Sequence, residues 1–376
     1  MNHDSVGFDV VCFSHLRWDF VFQRPQHLMT RFAKRGRIFV IEEPVGHEGE
    51  PFIQVSERGS NVHICVPHLP AGSENRVPGL VADLLRERGS ENYISWFYTP
   101  MMLEWASELE PIAVVYDCMD QLAAFKGAPP ELLDRERKLF EMADVVFTGG
   151  RSLYEAKKDQ HHSVHAFPSS IDVQHFSKAL DIDTDIPEQA SVPRPRIGFA
   201  GVIDERTDIE LLRTVADLRP EWNFIMVGPV VKISEDDLPR RDNIHYLGQR
   251  AYDDLPTILA GWDAAMMPFA LNESTRYISP TKTPEYLAAG LPVVSTPIAD
   301  VIVPYGEMGL VHIASTPPEF VEAIQKALDE DGEDRRRKAD DFLSRSSWDR
   351  TFEEMYSLIQ KAIRSKTRSA SAEAAA

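Results

Sequence analysis

Lys282 and Glu285 stand three residues apart in the run YISPTKTPEYLAAGLPVVST, which spans Tyr277 to Thr296. A lysine ammonium is a compact, mobile charge suited to a phosphate, and a carboxylate accepts hydrogen bonds from hydroxyls. A phosphate joined to sugar hydroxyls is a nucleotide or a nucleotide-sugar. Ser279, Thr281 and Thr283 add donors in a loop stiffened by Pro280 and Pro284. Thr283 is the predicted N-cap of a helix of about two turns, with Pro284 at its first position and Gly290 at its C-terminal stop. So short a helix is barely stable by itself, so its first-turn N–H groups and positive dipole end serve to meet an anion. An isolated lysine–glutamate pair at this spacing is an ordinary solvated helix face. The density of hydroxyls and prolines before the helix favours the ligand reading.

Other stretches carry groups of matching chemistry. In GFAGVIDERTDIELL, Gly198 and Gly201 predict a tight strand-to-helix turn. Arg206 follows just before a helix opened by Asp208, where a guanidinium can pair with phosphate oxygens; the competing partners are Asp204, Glu205 and Asp208. In AVVYDCMDQL, Asp117 and Asp120 fall at the end of a buried strand, where one can act as an acceptor-side base or orient a sugar hydroxyl. Asp117 can equally cap the following turn. His15, after the first strand, is a further candidate to face an acceptor or the transferred sugar. Asn272, Glu273, Thr275 and Arg276 crowd the loop before the lysine, and Asn272 is expected among the donor contacts.

These groups need strands and helices to hold them. Short β-rich runs at Phe8–Phe13, Arg37–Ile41, Val62–Val66, Ile94–Tyr98, Ile112–Tyr116, Val145–Thr148 and Val164–Phe167 alternate with helical patterns. A second alternating set runs through Arg196–Ala200, Asn223–Gly228, Ile244–Leu247 and Ala264–Met267. Such alternation predicts α/β structure with parallel sheets covered on both faces. Between the sets, Asp183–Arg196 contains three prolines and no periodicity, which predicts an interdomain linker.

The 376 residues exceed one ordinary core, so two domains are expected. A net charge of −19 argues against nucleic acid as a partner. No apolar run reaches the roughly 20 residues that span a bilayer, and the first residues lack a signal-like pattern, so a cytoplasmic location is expected. Cys12, Cys65 and Cys118 lie in apolar runs without metal-ligand spacing and read as reduced core thiols. The twelve histidines show no metal-binding pattern either, so no metal and no cofactor is expected. Arg31, Lys34, Arg35 and Arg37, near Trp18, Phe20 and Phe22, keep peripheral contact with the inner face of the membrane among the expectations.

The pattern S-P-T-K-T-P-E-Y-L-A-A-G-L-P-V-V resembles the donor-binding segment of GT-B glycosyltransferases. The similarity is to family 4 and to relatives in bacterial surface-polysaccharide synthesis of the teichuronic acid and exopolysaccharide type. The resemblance implies two Rossmann-like doubly wound domains facing across a cleft. They are residues 1–190 on the acceptor side and 191–346 on the nucleotide-sugar donor side, with helix 347–365 packing back on the first and a disordered tail at 366–376. It implies sugar transfer from a nucleoside-diphosphate-sugar to a carbohydrate or lipid-linked acceptor, with retention and without a metal. Glu285 would hold the ribose, the Lys282 loop and Gly201 the diphosphate, and Arg206 the leaving-group charge, with Asp120 as the remaining catalytic candidate. The chain departs from the family at Tyr277, where many members carry a second glutamate, and it has no histidine near Asp117. A non-catalytic nucleotide-sugar-binding subunit and a nucleotide-sugar epimerase therefore stay open.

Overall fold

A computed structural model describes residues 7–374; residues 1–6, read above for a signal pattern, and 375–376 lie outside it. The chain divides into two compact units. The first holds the chain up to Ala123, Gly127–Phe167 and everything from Trp348 onward; the second holds Ala124–Lys126 and Pro168–Ser347.

In the first unit the apolar runs form β1 (Asp9–Phe13), β2 (Ile38–Ile41), β3 (Val45–Gly46), β4 (Phe52–Glu57), β5 (Val62–Leu69), β6 (Tyr93–Phe97), β7 (Ala113–Cys118), β8 (Val145–Thr148) and β9 (Val164–Ala166). Among the described residues these make one sheet in the order β3-β5-β2-β1-β6-β7-β8-β9, with β4 added antiparallel on β5. Every residue of β2, β6, β7 and β8 is buried, as expected of parallel strands covered on both faces. β4 alternates exposed and half-buried residues because only one of its faces is covered, which hid it from a search for apolar runs. The helix Trp348–Ala374 docks here: Trp348 stacks on His27 at 4.5 Å, Phe352 meets Phe32 edge-on at 4.8 Å, and Tyr356 stacks on Phe8 at 5.5 Å.

The second unit contains β10 (Arg196–Ala200), β11 (Asn223–Val227), β12 (Ile244–Gly248), β13 (Ala264–Met267), β14 (Val293–Ser295) and β15 (Val311–Ile313). All pairs are parallel, in the order β12-β11-β10-β13-β14-β15. The chain winds outward from β10 to β12 and then returns to lay β13 on the other side of β10. The strand order therefore reverses between β10 and β13, and in such sheets ligands sit beyond the strand ends at that reversal. Both units are thus doubly wound α/β structures of the Rossmann-like kind.

Three expectations about organisation change. The first unit ends at Phe167, not at residue 190. Asp183–Arg196 is not a free linker but packed structure of the second unit, because its polar side chains are spent inside. Gln189 is fully buried, donates to Asp185 Oδ1 at 2.7 Å and Ile258 O at 3.1 Å, and accepts from Trp262 Nε1 at 2.9 Å. Arg196 pairs with Asp185 and donates from Nε to Val192 O at 2.7 Å. The tail from residue 366, expected to be disordered, continues the C-terminal helix to Ala374. No proline or glycine follows Trp348, and Lys366 Nζ reaches Asp144 at 3.1 Å.

Candidate active site

The helix in the organising loop runs Lys282–Ala288, two residues earlier than a Thr283 cap requires. Thr281 is its N-cap and makes no side-chain capping bond. Thr283 is fully buried with its hydroxyl 3.5 Å from Met267 Sδ, so the methyl and hydroxyl fill the core instead of capping. Pro284 is tolerated because first-turn N–H groups have no intrahelical acceptor. The C-terminal end follows the sequence reading. Gly290 adopts φ +79°, its N–H donates to Leu287 O and that of Leu291 to Tyr286 O, both at 3.0 Å. That double closure turns the chain at once into β14.

Lys282 Nζ lies 2.8 Å from Glu285 Oε2, and the two side chains are 23% and 12% exposed. The lysine stem lies over the turn after β10: a Cβ on Gly201 would come within 3.7 Å of Lys282 Cε and 3.0 Å of the Phe199 ring. Gly201 N–H donates to Val227 O at 2.8 Å. Behind it stands Gly228 at the end of β11, with φ +140°, where a Cβ would fall 1.9 Å from Gly201 O. A glycine is needed there for both reasons, and the sequence signal was its place at a strand end. Gly198, by contrast, does not shape the turn. It lies within β10 and makes room for the Trp262 ring, which would be 2.0 Å from a Cβ. Tyr286, also missed by the sequence reading, is fully buried and accepts from Ala200 N–H at 2.7 Å.

Arg206 is held by the buried Asp204, with Nε 3.0 and 3.1 Å from the two carboxylate oxygens and Nη2 at 2.7 Å from one of them. The bidentate pair fixes the guanidinium and shares its charge. Its loop is laced to the one leading into the lysine: Asp208 N–H donates to Pro268 O and Ala270 N–H to Arg206 O, each at 2.8 Å. Asn272 takes part in this lacing. Its Oδ1 accepts from Ser274 N at 3.0 Å and Ser274 Oγ at 2.7 Å, and its Nδ2 donates to Glu205 O at 3.3 Å. Those bonds organise the loop around Asn272. Ser279 and Thr281 are half-buried in the segment entering the helix. Exposed Glu273 and Arg276 lie 3.7 Å apart, and the Arg276 guanidinium sits 5.3 Å from the Tyr277 ring centre.

His15, Asp117 and Asp120 belong to the first unit. Asp117, expected to face an acceptor, is fully buried at the end of β7, and its oxygens accept from Arg24 Nε at 2.9 and 3.1 Å and Nη2 at 2.8 Å. Arg24 Nη1 also donates to Phe167 O at 2.7 Å. Burial pushes the Asp117 carboxyl up from its ordinary range, against the pull of Arg24. Asp117 is therefore a structural ion, since a fully enclosed carboxylate cannot reach a sugar. Asp120, two residues past β7, is half-buried and within the field of Arg24. His15 is half-buried in the loop after β1. The basic cluster is largely neutralised within the same unit: Arg31 pairs with Asp349 at 2.7 Å, Arg35 with Glu353 at 2.5 Å and Arg37 with Asp9 at 2.6 Å. All three cysteines are free and buried, and burial pushes the Cys65 and Cys118 thiols up to about 12.

Residues 194–330 match the family model described as Glycosyl transferases group 1, a span that contains β10–β15 and every second-unit candidate named above. The chain is 24% identical over 271 residues to a Bacillus subtilis (strain 168) protein named as a teichuronic acid biosynthesis glycosyltransferase, TuaH; the match covers 66% of this chain and 67% of that one. Its fold is similar to that of a sucrose-phosphate synthase from Thermosynechococcus elongatus, with TM-score 0.72, 12% identity, and 95% of this chain and 100% of that one covered. It is likewise similar to an E. coli trehalose-6-phosphate protein bound with UDP-2-fluoro glucose, with TM-score 0.70, 13% identity, and 94% and 99% covered. The second unit thus carries the match to the group 1 glycosyl transferase model, in a chain whose fold is of the GT-B kind.

Proposed function

We propose that the chain transfers a hexose from a UDP-sugar to the hydroxyl of a carbohydrate or lipid-linked acceptor in cell-surface polysaccharide synthesis. The observation that carries this reading is the placement of Lys282 over the Gly201 turn, beside Glu285, where the strand order of the second unit reverses. The name of the Bacillus relative and the UDP-sugar in the E. coli structure support the donor and pathway class. In the reaction the acceptor oxygen forms a bond to the anomeric carbon as its proton passes to the departing diphosphate, the bond from that carbon to the diphosphate breaks, and UDP leaves with the electron pair. Lys282 and Arg206 would offset the charge gathering on that leaving group, without a metal in the role. Ser279, Thr281 and the Gly201 turn would line the diphosphate.

Lys282 and Glu285 bond to each other across one helical turn, so donor binding has to exchange that pair for two new ones. The ammonium turns to the diphosphate and the carboxylate to the ribose hydroxyls. Transfer proceeds with retention, the acceptor entering on the face the diphosphate leaves, and Asp120 and His15 are the first-unit groups assigned to the acceptor side. The work is done at the cytoplasmic face of the membrane on which such acceptors are built. Calorimetry with UDP, GDP and ADP tests the reading: UDP is expected to bind, and failure of all three to bind overturns it. Tyr277 in place of a glutamate motivates a second reading, a nucleotide-sugar-binding subunit without turnover. Tight UDP binding with no transfer to any acceptor pool would select it.

A further inference from the structure

Tyr286 makes two hydrogen bonds with a single residue of β10. Its hydroxyl accepts from Ala200 N–H at 2.7 Å and donates to Ala200 O at 3.4 Å. In an extended strand the N–H and C=O of one residue point to the same side. At Ala200 that side faces β13, yet β13 pairs with β10 only at Ile197↔Ala264 and Gly198↔Ala265. The two strands part at the place where the strand order reverses, and the phenol takes the position a strand partner would have filled. Tyr286 is fully buried, and burial pushes its hydroxyl well above the ordinary phenol range, against the opposing pull of the Ala200 contact. Lys282 lies one helical turn before it, on the same side of the helix, with its stem against Gly201. The helix thus holds consecutive residues of the β10 turn, Ala200 through the phenol and Gly201 through the lysine stem.

We infer that Tyr286 is a positioning residue for the diphosphate site: its bonds to Ala200 set where Lys282 rests on the Gly201 turn. Core packing of Thr283, Leu287 and Ala288 seats the helix, the directional bonds of the phenol to Ala200 set its rotation more finely, and a small rotation displaces the tip of a long side chain. The inference rests on the function proposed above. Tyr286→Phe removes the bonds while keeping the ring that fills the core, and a purely structural role for the hydroxyl would lower thermal stability alone.

The test is a double-mutant cycle on UDP affinity, measured by calorimetry with melting temperatures recorded alongside, for the wild type, Tyr286→Phe, Lys282→Ala and the double variant. Tyr286→Phe is expected to weaken UDP binding by about tenfold in the wild-type background and by less than about twofold once Lys282 is alanine. Equal losses in both backgrounds, or an unchanged UDP affinity with a lowered melting temperature, would overturn the positioning role while leaving the site intact. A wild-type chain that does not bind UDP would overturn the site and this inference together.

Discussion

Lys282 and Glu285 neutralise one another at 2.8 Å, and the division of labour proposed for them requires a ligand to separate the pair. Lys282→Ala is expected to cost more in turnover than in donor affinity, because leaving-group charge develops in the transition state. Glu285→Ala is expected to weaken nucleotide binding by about 1.5–3 kcal/mol, the range for hydrogen bonds to a charged group. Affinity, turnover and melting temperature of both variants decide the matter; wild-type affinity and turnover in each would remove the pair from the site. Arg24 and Asp117 pose the opposite case, a pair enclosed in the first unit. Asp117→Asn leaves the guanidinium without its counter-ion and is expected to destabilise the chain by about 3–5 kcal/mol. Turnover per folded molecule should persist. A denaturant midpoint that does not move, with turnover lost, would return Asp117 to the chemistry.

The elements that carry the second-unit site depend on close backbone approach. Gly228 and Gly201 bring the ends of β10 and β11 together, and no side chain fits between them. Gly228→Ala places a methyl against Gly201 O and is expected both to lower the melting temperature and to weaken UDP binding. Gly248→Ala is the matched control: its φ is +68°, but a Cβ there meets nothing within 4 Å. That variant should cost only the left-handed penalty, about 1 kcal/mol, with UDP affinity unchanged. Equal effects of the two on UDP affinity would show that the β10–β11 approach has no bearing on the site. Residues 187–196 are likewise an element and not a tether, since Gln189 satisfies the indole of Trp262 from within.

At the scale of the whole molecule the chain leaves the first unit at Phe167 and returns to it at Trp348. The returning helix buries Trp348, Phe352, Met355, Tyr356, Ile359 and Ile363 in the first unit's core. Truncation after Ser347 is therefore expected to expose that core and to give an aggregating or dye-binding first unit. Unfolding traces and ANS fluorescence of the truncated chain would check this; a first unit that melts as before would show the helix to be dispensable. Among the described residues no helix is long and apolar enough to cross a membrane. Arg31, Arg35 and Arg37 each pair with a carboxylate of the same unit.

The alternation of short apolar runs with helical periods was enough to predict parallel α/β sheets covered on both faces, because strands buried on both faces must be apolar throughout. The lysine loop was legible too, since proline, glycine and hydroxyl residues constrain the backbone locally. Side-chain partners were decided by the tertiary structure. Asp117 and Arg24 are 93 residues apart in the chain, and only the fold encloses them together. Tyr286 carries no signal of its own in the sequence, because its partner is a backbone left open where β10 and β13 part, and only the fold sets that. The prolines near residue 190 resembled a linker because composition reports local stiffness and polarity, not whether polar groups find partners elsewhere. Local conformation follows from short-range sterics and periodicity, which a sequence displays directly. Which polar groups bond to one another depends on residues distant in the chain, and that only folding brings about.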